Sequence, residues 1–236
     1  VDAIGGLHIW AELPAGKIGW RDGPFMASAD IWDIKIRGRG GHGAMPHKAV
    51  DPTVAAASLI STLQTVVSRE TNPQDTVVLS VGLLEAGTAV NIIPETARVA
   101  GNIRTTNPAV RAGMKDIVKR VADGVCAALR CEAELEFTPI YPVTVNDPGV
   151  TKFMKGAASD LAGQDCLVEI PVAMGSEDFS YYGEKVPAAY VFLGMARECG
   201  LGGAQHHNPK FNVNDEVLPM GSALLSLFAA RMAGEF

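Results

Sequence analysis

Apolar positions recur at two periods along this chain, and the changes of period mark its elements. Residues 28–38 alternate, with Trp32, Ile34 and Ile36 on one side and Asp33, Lys35 and Arg37 on the other. That is the pattern of a strand with one buried face. Asp51-Pro52 then offers a capping carboxylate followed by a proline suited to the first helical position. Behind it Ala56, Leu59, Ile60, Leu63, Val66 and Val67 fall at helical spacing. Residues 76–86 and 96–104 predict two further strands. A second helix is expected over 108–130, with Val110, Met114, Ile117, Val121 and Val125 on its buried stripe. A fourth strand over 132–137 points Ala133, Leu135 and Phe137 inward and Glu132, Glu134 and Glu136 outward. The order β-α-β-β-α-β is that of the ferredoxin-like split βαβ, an antiparallel sheet with both helices on one face.

The flanks have a different texture. Residues 1–25 read as a short strand at the start, a polar Gly-rich loop and a turn at Gly23-Pro24. After the turn at Asn146-Asp147-Pro148 come a helix of about a dozen residues, a short strand over 167–170, the segment Gly175-Ser176-Glu177-Asp178-Phe179 and a strand over 188–193. A Gly-rich loop over 200–203 and a helix over 217–232 complete the chain. Strands mixed with helices suggest an α/β layer. Neither flank is large enough to close a good sheet alone. The expectation is therefore one α/β domain in two parts, 1–25 and 139–236, interrupted by a ferredoxin-like α+β domain over 26–138. The chain starts without Met, inside what reads as a strand, so sequence upstream is expected to be missing.

Composition narrows the class. Length and apolar content suit a globular protein with a sizeable core. A net charge of -6 without a basic stripe argues against a nucleic-acid partner. No apolar run reads as approaching the roughly 20 residues of a membrane span, so no membrane partner is expected. Cys126, Cys131, Cys166 and Cys199 form no C-x-x-C pair, which argues against a thiolate zinc knuckle. Scattered thiols fit a reducing cytoplasm, pairing into two disulfides being the alternative.

The candidate chemistry is centred on histidine. His8, His42, His47, His206 and His207 all fall in polar, Gly- or Pro-rich sequence rather than on apolar helix stripes. Imidazole is both a common metal ligand and the usual acid–base group. His8 follows an apolar strand, a rigid place for a ligand, or it is a hydrogen-bonded neighbour of Trp10. Of His206 and His207 only one would enter a given site, since adjacent residues on extended backbone point opposite ways. Gly40-Gly41-His42-Gly43 clears side chains from around one imidazole. His47 lies near the Asp51 cap. Glu177-Asp178 would contact metal or substrate, or simply charge a helix N-terminus. No nucleophile elbow, P-loop or dinucleotide turn is present. Residue chemistry alone reaches a hydrolase with histidine-centred chemistry and stops there.

The motifs carry a resemblance further. AIGGLHIW, PFMASADIWDIKIRGRGGHGAMPH, DPTVAAASLI, SRETNPQDTVVLSVG, AGTAVNIIPETARVAGNIRT, MGSEDFSYY and HHNPKFNVNDEVL occur in this order over nearly the whole chain. It resembles the metal-dependent aminoacylase/carboxypeptidase family, in the branch of hippurate hydrolases, N-acyl-amino-acid amidohydrolases and auxin-conjugate hydrolases. The resemblance implies an α/β catalytic domain binding two divalent metals (Zn, Mn, Co or Ni), interrupted by a ferredoxin-like domain that forms a homodimer. It implies His8 and His207 as metal ligands. It implies His42 as an oxyanion donor reaching the partner's active site, and Asn91 with Arg104 as holders of the substrate carboxylate. Glu177 is expected as a further substrate contact. The family's general-base Glu and remaining ligands lie upstream, in a Cys/Asp-Gly-His segment and a Glu-Glu pair absent here. The implied metal site is therefore incomplete, and the chain alone is expected to be inactive. Gly5 stands where a bulky residue is expected, and the loop over 197–205 is longer than expected. The implied reaction is amide hydrolysis of N-acyl or N-aroyl amino acids. A dipeptidase or deacetylase of the same family, or a non-catalytic dimerisation module, are the alternatives.

Overall fold

The computed structural model describes residues 1–196, 204 and 206–234. Cys199 and the glycine run over 200–203 lie outside the described residues. The strands are β1 (Ile4–Pro14), β2 (Ile18–Trp20), β3 (Gly23–Met26), β4 (Ala29–Arg37), β5 (Gly41–His42), β6 (Val77–Ala86), β7 (Ile92–Ile93), β8 (Thr96–Thr105), β9 (Glu132–Tyr141), β10 (Thr144–Asn146), β11 (Leu167–Glu169) and β12 (Ala188–Ala196). The helices are α1 (Pro52–Thr65), α2 (Pro108–Ala128), α3 (Pro148–Ala162), the short α4 (Ser180–Gly183) and α5 (Leu218–Ala233). Three helices start alike. The side chains of Asp51, Asn107 and Asp147 accept from the backbone N–H of Thr53, Ala109 and Val150, and a proline follows each cap. The side-chain oxygen satisfies a donor left over by the first turn, and proline has no N–H to leave unsatisfied.

The chain divides into two compact units. One comprises Val1–Met26, Thr144–Ala173 and Glu177–Phe236, the other Ala27–Val143 with Met174–Ser176.

In the second unit the sheet order is β6-β8-β4-β9, antiparallel throughout. Counted along the unit, these four strands stand in the order 2-3-1-4, the split βαβ arrangement. Trp32, Ile34 and Ile36 of β4 pack in one cluster with Ala56, Leu59 and Leu63 of α1 and Met114, Val118 and Val121 of α2. Both helices therefore cover the same sheet face. The opposite face carries ion pairs between Arg98 and Asp33 and between Arg37 and Glu134. The strand expected over 132–137 runs on to Tyr141, because β4 pairs with it along the whole of that length.

In the first unit the sheet order is β1-β12-β2-β11. β1 and β12 run parallel from Ile4↔Ala188 to Trp10↔Gly194. β12 is buried on both faces. Ala189, Val191, Leu193 and Met195 join the core with α3 and α5, while Tyr190 and Phe192 join Phe25 and Phe179 on the other side. A strand covered on both sides reads as an unbroken apolar run.

Three expectations are corrected here. The opening strand does not end before His8: β1 runs on to Pro14, because parallel pairing to β12 continues the ladder beyond the segment that local sequence advertises. Gly23-Pro24 is no turn but the start of β3, held by β10. Finally, Asp215–Ala233 is long and apolar enough, by length and composition, to cross a membrane, with a mean hydropathy of 1.2 over its most apolar window. Gly221, Leu224 and Phe228 of this stretch are buried. Leu224 and Phe228 pack with Met154 and Val191, and 22% of that window is buried.

Candidate active site

β1 sets the first part of the site. Its side chains alternate, so His8 and Trp10 share a face. Trp10 stacks on Phe192 of β12, with ring centroids 3.8 Å apart and planes 2° from parallel. His8 meets both rings edge-on, at 6.0 and 6.4 Å. His8 is thus mid-strand rather than at a strand end, and its ring is walled by aromatics. Its Nδ1 lies 2.5 Å from the Ile9 carbonyl oxygen. A carbonyl only accepts, so Nδ1 carries the proton and Nε2 keeps its lone pair. That tautomer can ligate a metal through Nε2.

Gly5 has a tertiary reason. A Cβ there would lie 2.4 Å from the Phe228 ring and 2.9 Å from Met154 Cε. The close approach of α5 and α3 to β1 excludes a larger residue.

Beside His8, Glu177 accepts the Asp178 backbone N–H at 3.1 Å, and the Tyr190 phenol faces the same carboxyl. Burial, and secondly the bond to Asp178, hold the Glu177 carboxyl above the usual carboxylate range; His8 and the Tyr190 hydroxyl pull it partly back. Burial, and then the facing Glu177, push the Tyr190 phenol up.

The two adjacent histidines separate sharply. His206 lies 5.3 Å from His8 and 4.9 Å from Trp10, ring to ring. Its Nε2 accepts the Ala11 N–H at 3.1 Å, which uses up its lone pair. Burial, then the neighbouring His8 and His207, lower its pKa. His206 in this state is a neutral packing residue. His207 is exposed and has φ of 66°, in the left-handed region. Such backbone strain in a residue other than glycine is concentrated at functional sites. The structure thus brings His206, not His207, against His8. Spacing alone did not single out His206, since its partners His8 and Trp10 lie far away in the sequence.

In the second unit, β5 and β7 pair as Gly41↔Ile93 and His42↔Ile92. This joins His42 to Asn91 across a long sequence separation. Gly43 N–H donates to the Asn91 carbonyl at 2.8 Å. The Ala44 N–H donates to His42 Nδ1 at 3.0 Å, so the proton sits on Nε2, which is left to donate outward. His42 and Asn91 are exposed, as are Val90 and Ile92 beside them. Arg104, on β8, donates to the Met174 carbonyl at 3.2 Å and the Ser176 hydroxyl at 3.4 Å. His47 is exposed in a helical turn over Pro46–Lys48, ahead of the α1 cap.

Among the described residues no three His, Cys, Asp or Glu side chains converge as a metal site. His8 and His207 would supply two imidazoles, where three or four protein ligands are usual. The residues present therefore suit part of a metal site and do not complete one.

Comparison with known proteins follows the same lines. Residues 1–231 match the family described as Peptidase family M20/M25/M40. An IAA-amino acid hydrolase of Arabidopsis thaliana, ILR1-like 2, is 38% identical over all of this chain and 54% of its own length. The N-acetylcysteine deacetylase of Bacillus subtilis is 36% identical over 94% of this chain and 57% of its own. Among solved structures, the Bacillus subtilis YXEP protein, described as a dinuclear metal binding peptidase, superposes with a TM-score of 0.83 at 31% identity. That match covers 100% of this chain and 58% of that one. The chain spans somewhat over half the length of the relatives it matches.

Proposed function

The chain belongs to peptidase family M20/M25/M40, and on that premise we propose that it forms the larger part of a metal-dependent amidohydrolase acting on N-acyl or N-aroyl amino acids. The observation that carries the reading is the β5–β7 pairing, which sets His42, its Nε2 left to donate, next to the Asn91 backbone on an exposed arm. Relatives named as an IAA-amino acid hydrolase and an N-acetylcysteine deacetylase support the substrate class.

In this reading His8 and His207 would hold part of a pair of divalent metals, which when bound would supply an acidified water, and a carboxylate base would come from outside this chain. His42 Nε2–H donates to the oxyanion as the carbonyl carbon becomes tetrahedral, where a positioned donor is worth most. Asn91 and Arg104 hold the free carboxylate of the amino acid, Arg104 through its planar fork. Glu177, which faces His8 and Tyr190 in the first unit, is a further substrate contact in this reading. We further propose that the protein is a homodimer in which His42, Asn91 and Arg104 serve the partner's active site, and that it works in the cytoplasm.

The test is complementation between variants of the longer protein. His42→Ala and His207→Ala homodimers should each lose on the order of 100-fold or more in rate. After subunit exchange, about half the dimers are mixed and each has one intact composite site, so up to about a quarter of wild-type activity should return. Verified exchange without recovery of hippurate hydrolysis refutes the cross-subunit assignment. Full activity in the His42→Ala homodimer refutes the oxyanion role.

A further inference from the structure

Away from the histidines, the first unit carries a cleft of about 490 Å³ lined by Lys152, Lys155, Gly156, Ser159, Gln164 and Arg231, with Phe153 and Leu167 at its side. We propose that this cleft binds the phosphate group of a small organic molecule. Its volume falls within the roughly 300–1,000 Å³ of small-molecule sites.

The charges are arranged for an anion. Three cationic side chains line the cleft, and the only carboxylate paired with any of them among the described residues is Asp160, on Arg231. Lys152 and Lys155 have no ion-pair partner among the described residues. The Lys155 ammonium is not loose. It sits 3.3 Å above the centre of the Trp20 ring, whose π face holds the cation in place without neutralising it.

Arg231 is seated by an absence. A Cβ on Gly156 would lie 2.8 Å from Arg231 Nη1, so glycine lets the guanidinium lie across the backbone of α3. Ser159, one helical turn further along α3, and Gln164 add neutral donors on the same side. Three cations approaching from α3 and α5 match a tetrahedral dianion better than a planar carboxylate, which one Arg fork would satisfy. Phe153 and Leu167 provide an apolar wall for the organic part of the ligand.

The experiment titrates the chain with inorganic pyrophosphate by calorimetry, at constant ionic strength because exposed charges are screened. Citrate is the carboxylate comparison. Lys152→Gln, in an exposed position, should weaken pyrophosphate binding by about tenfold, the value of one charge-assisted contact. Lys115→Gln, on α2 of the other unit, makes the same change in net charge and should bind as wild type. Gly156→Ala should also weaken binding by displacing Arg231, while the thermal midpoint holds or rises, since alanine favours a helix interior. Saturable binding with that pattern supports the site. Absence of saturable binding, equal effects of Lys152→Gln and Lys115→Gln, or citrate binding as tightly as pyrophosphate would each overturn it.

Discussion

Removal of Arg111 should unfold the second unit selectively. Asp30, the second residue of β4, has a side chain only 1% exposed. Its carboxylate accepts from Arg111 Nε at 3.1 and 3.0 Å and from Nη2 at 2.7 Å, a two-pronged pairing. With unit charges about 3 Å apart and an effective dielectric of about 20, the attraction is roughly 5 kcal/mol. It is offset by the desolvation of both ions, so the pair's net worth is small. The asymmetry lies in breaking it. Arg111→Ala strands a buried carboxylate, at about 3–5 kcal/mol. Asp30→Asn leaves the charge on Arg111, whose side chain is 19% exposed rather than 1%, and should cost less. The double variant Asp30→Asn/Arg111→Leu should recover most of the loss, because neither charge then needs a partner. Two units need not unfold together, so a single transition cannot be assumed. Hydrogen exchange followed by mass spectrometry in mild urea separates them: peptides of β4 and β8 should lose protection in Arg111→Ala while those of β12 keep it. A loss below about 1 kcal/mol in β4, or an equal loss in β12, would refute the reasoning. So would a double variant as unstable as Arg111→Ala.

Two further outcomes are expected. Gly43→Ala puts a Cβ 2.9 Å from the Asn91 carbonyl oxygen and so prises His42 from Asn91. In the longer protein it should lower kcat for hippurate on the order of 100-fold while leaving the melting curve nearly unchanged, because the arm is exposed; an unchanged kcat would show that the pairing is not used. Cys126, Cys131 and Cys166 are buried, and burial above all raises each thiol, that of Cys126 to about 11. A raised folded pKa means that the contribution to stability is full below the unfolded thiol's value and is lost as pH rises through about 11. Native thiols should therefore resist alkylation at pH 8 and react on unfolding; fast labelling of the Cys126 peptide in the native state would contradict the burial.

The central block was largely legible in the sequence because its information is local. Alternation in β4, the four-residue spacing of Leu59 and Leu63, and the Asx-Pro starts of α1 and α2 each lie within a few residues of what they determine. Caps and amphipathic faces need no distant partner to be recognised. The histidines, Asn91, Arg104 and Glu177 were likewise visible as residue types in their motifs. Their company was not. β1 is a strand because β12 lies beside it, and no local pattern in Gly5-Gly6-Leu7-His8 foretells that ladder. His42 meets Asn91 only through a two-residue pairing, too short to leave a periodic trace. His206 turns to Ala11 and His8 while His207 turns outward, a choice made by one left-handed backbone angle. The amino-acid sequence by itself determined the strands and helices of the central block and which side chains can do chemistry. The tertiary structure decided which of those side chains meet, because long-range strand pairing and aromatic packing depend on residues that no short window contains together.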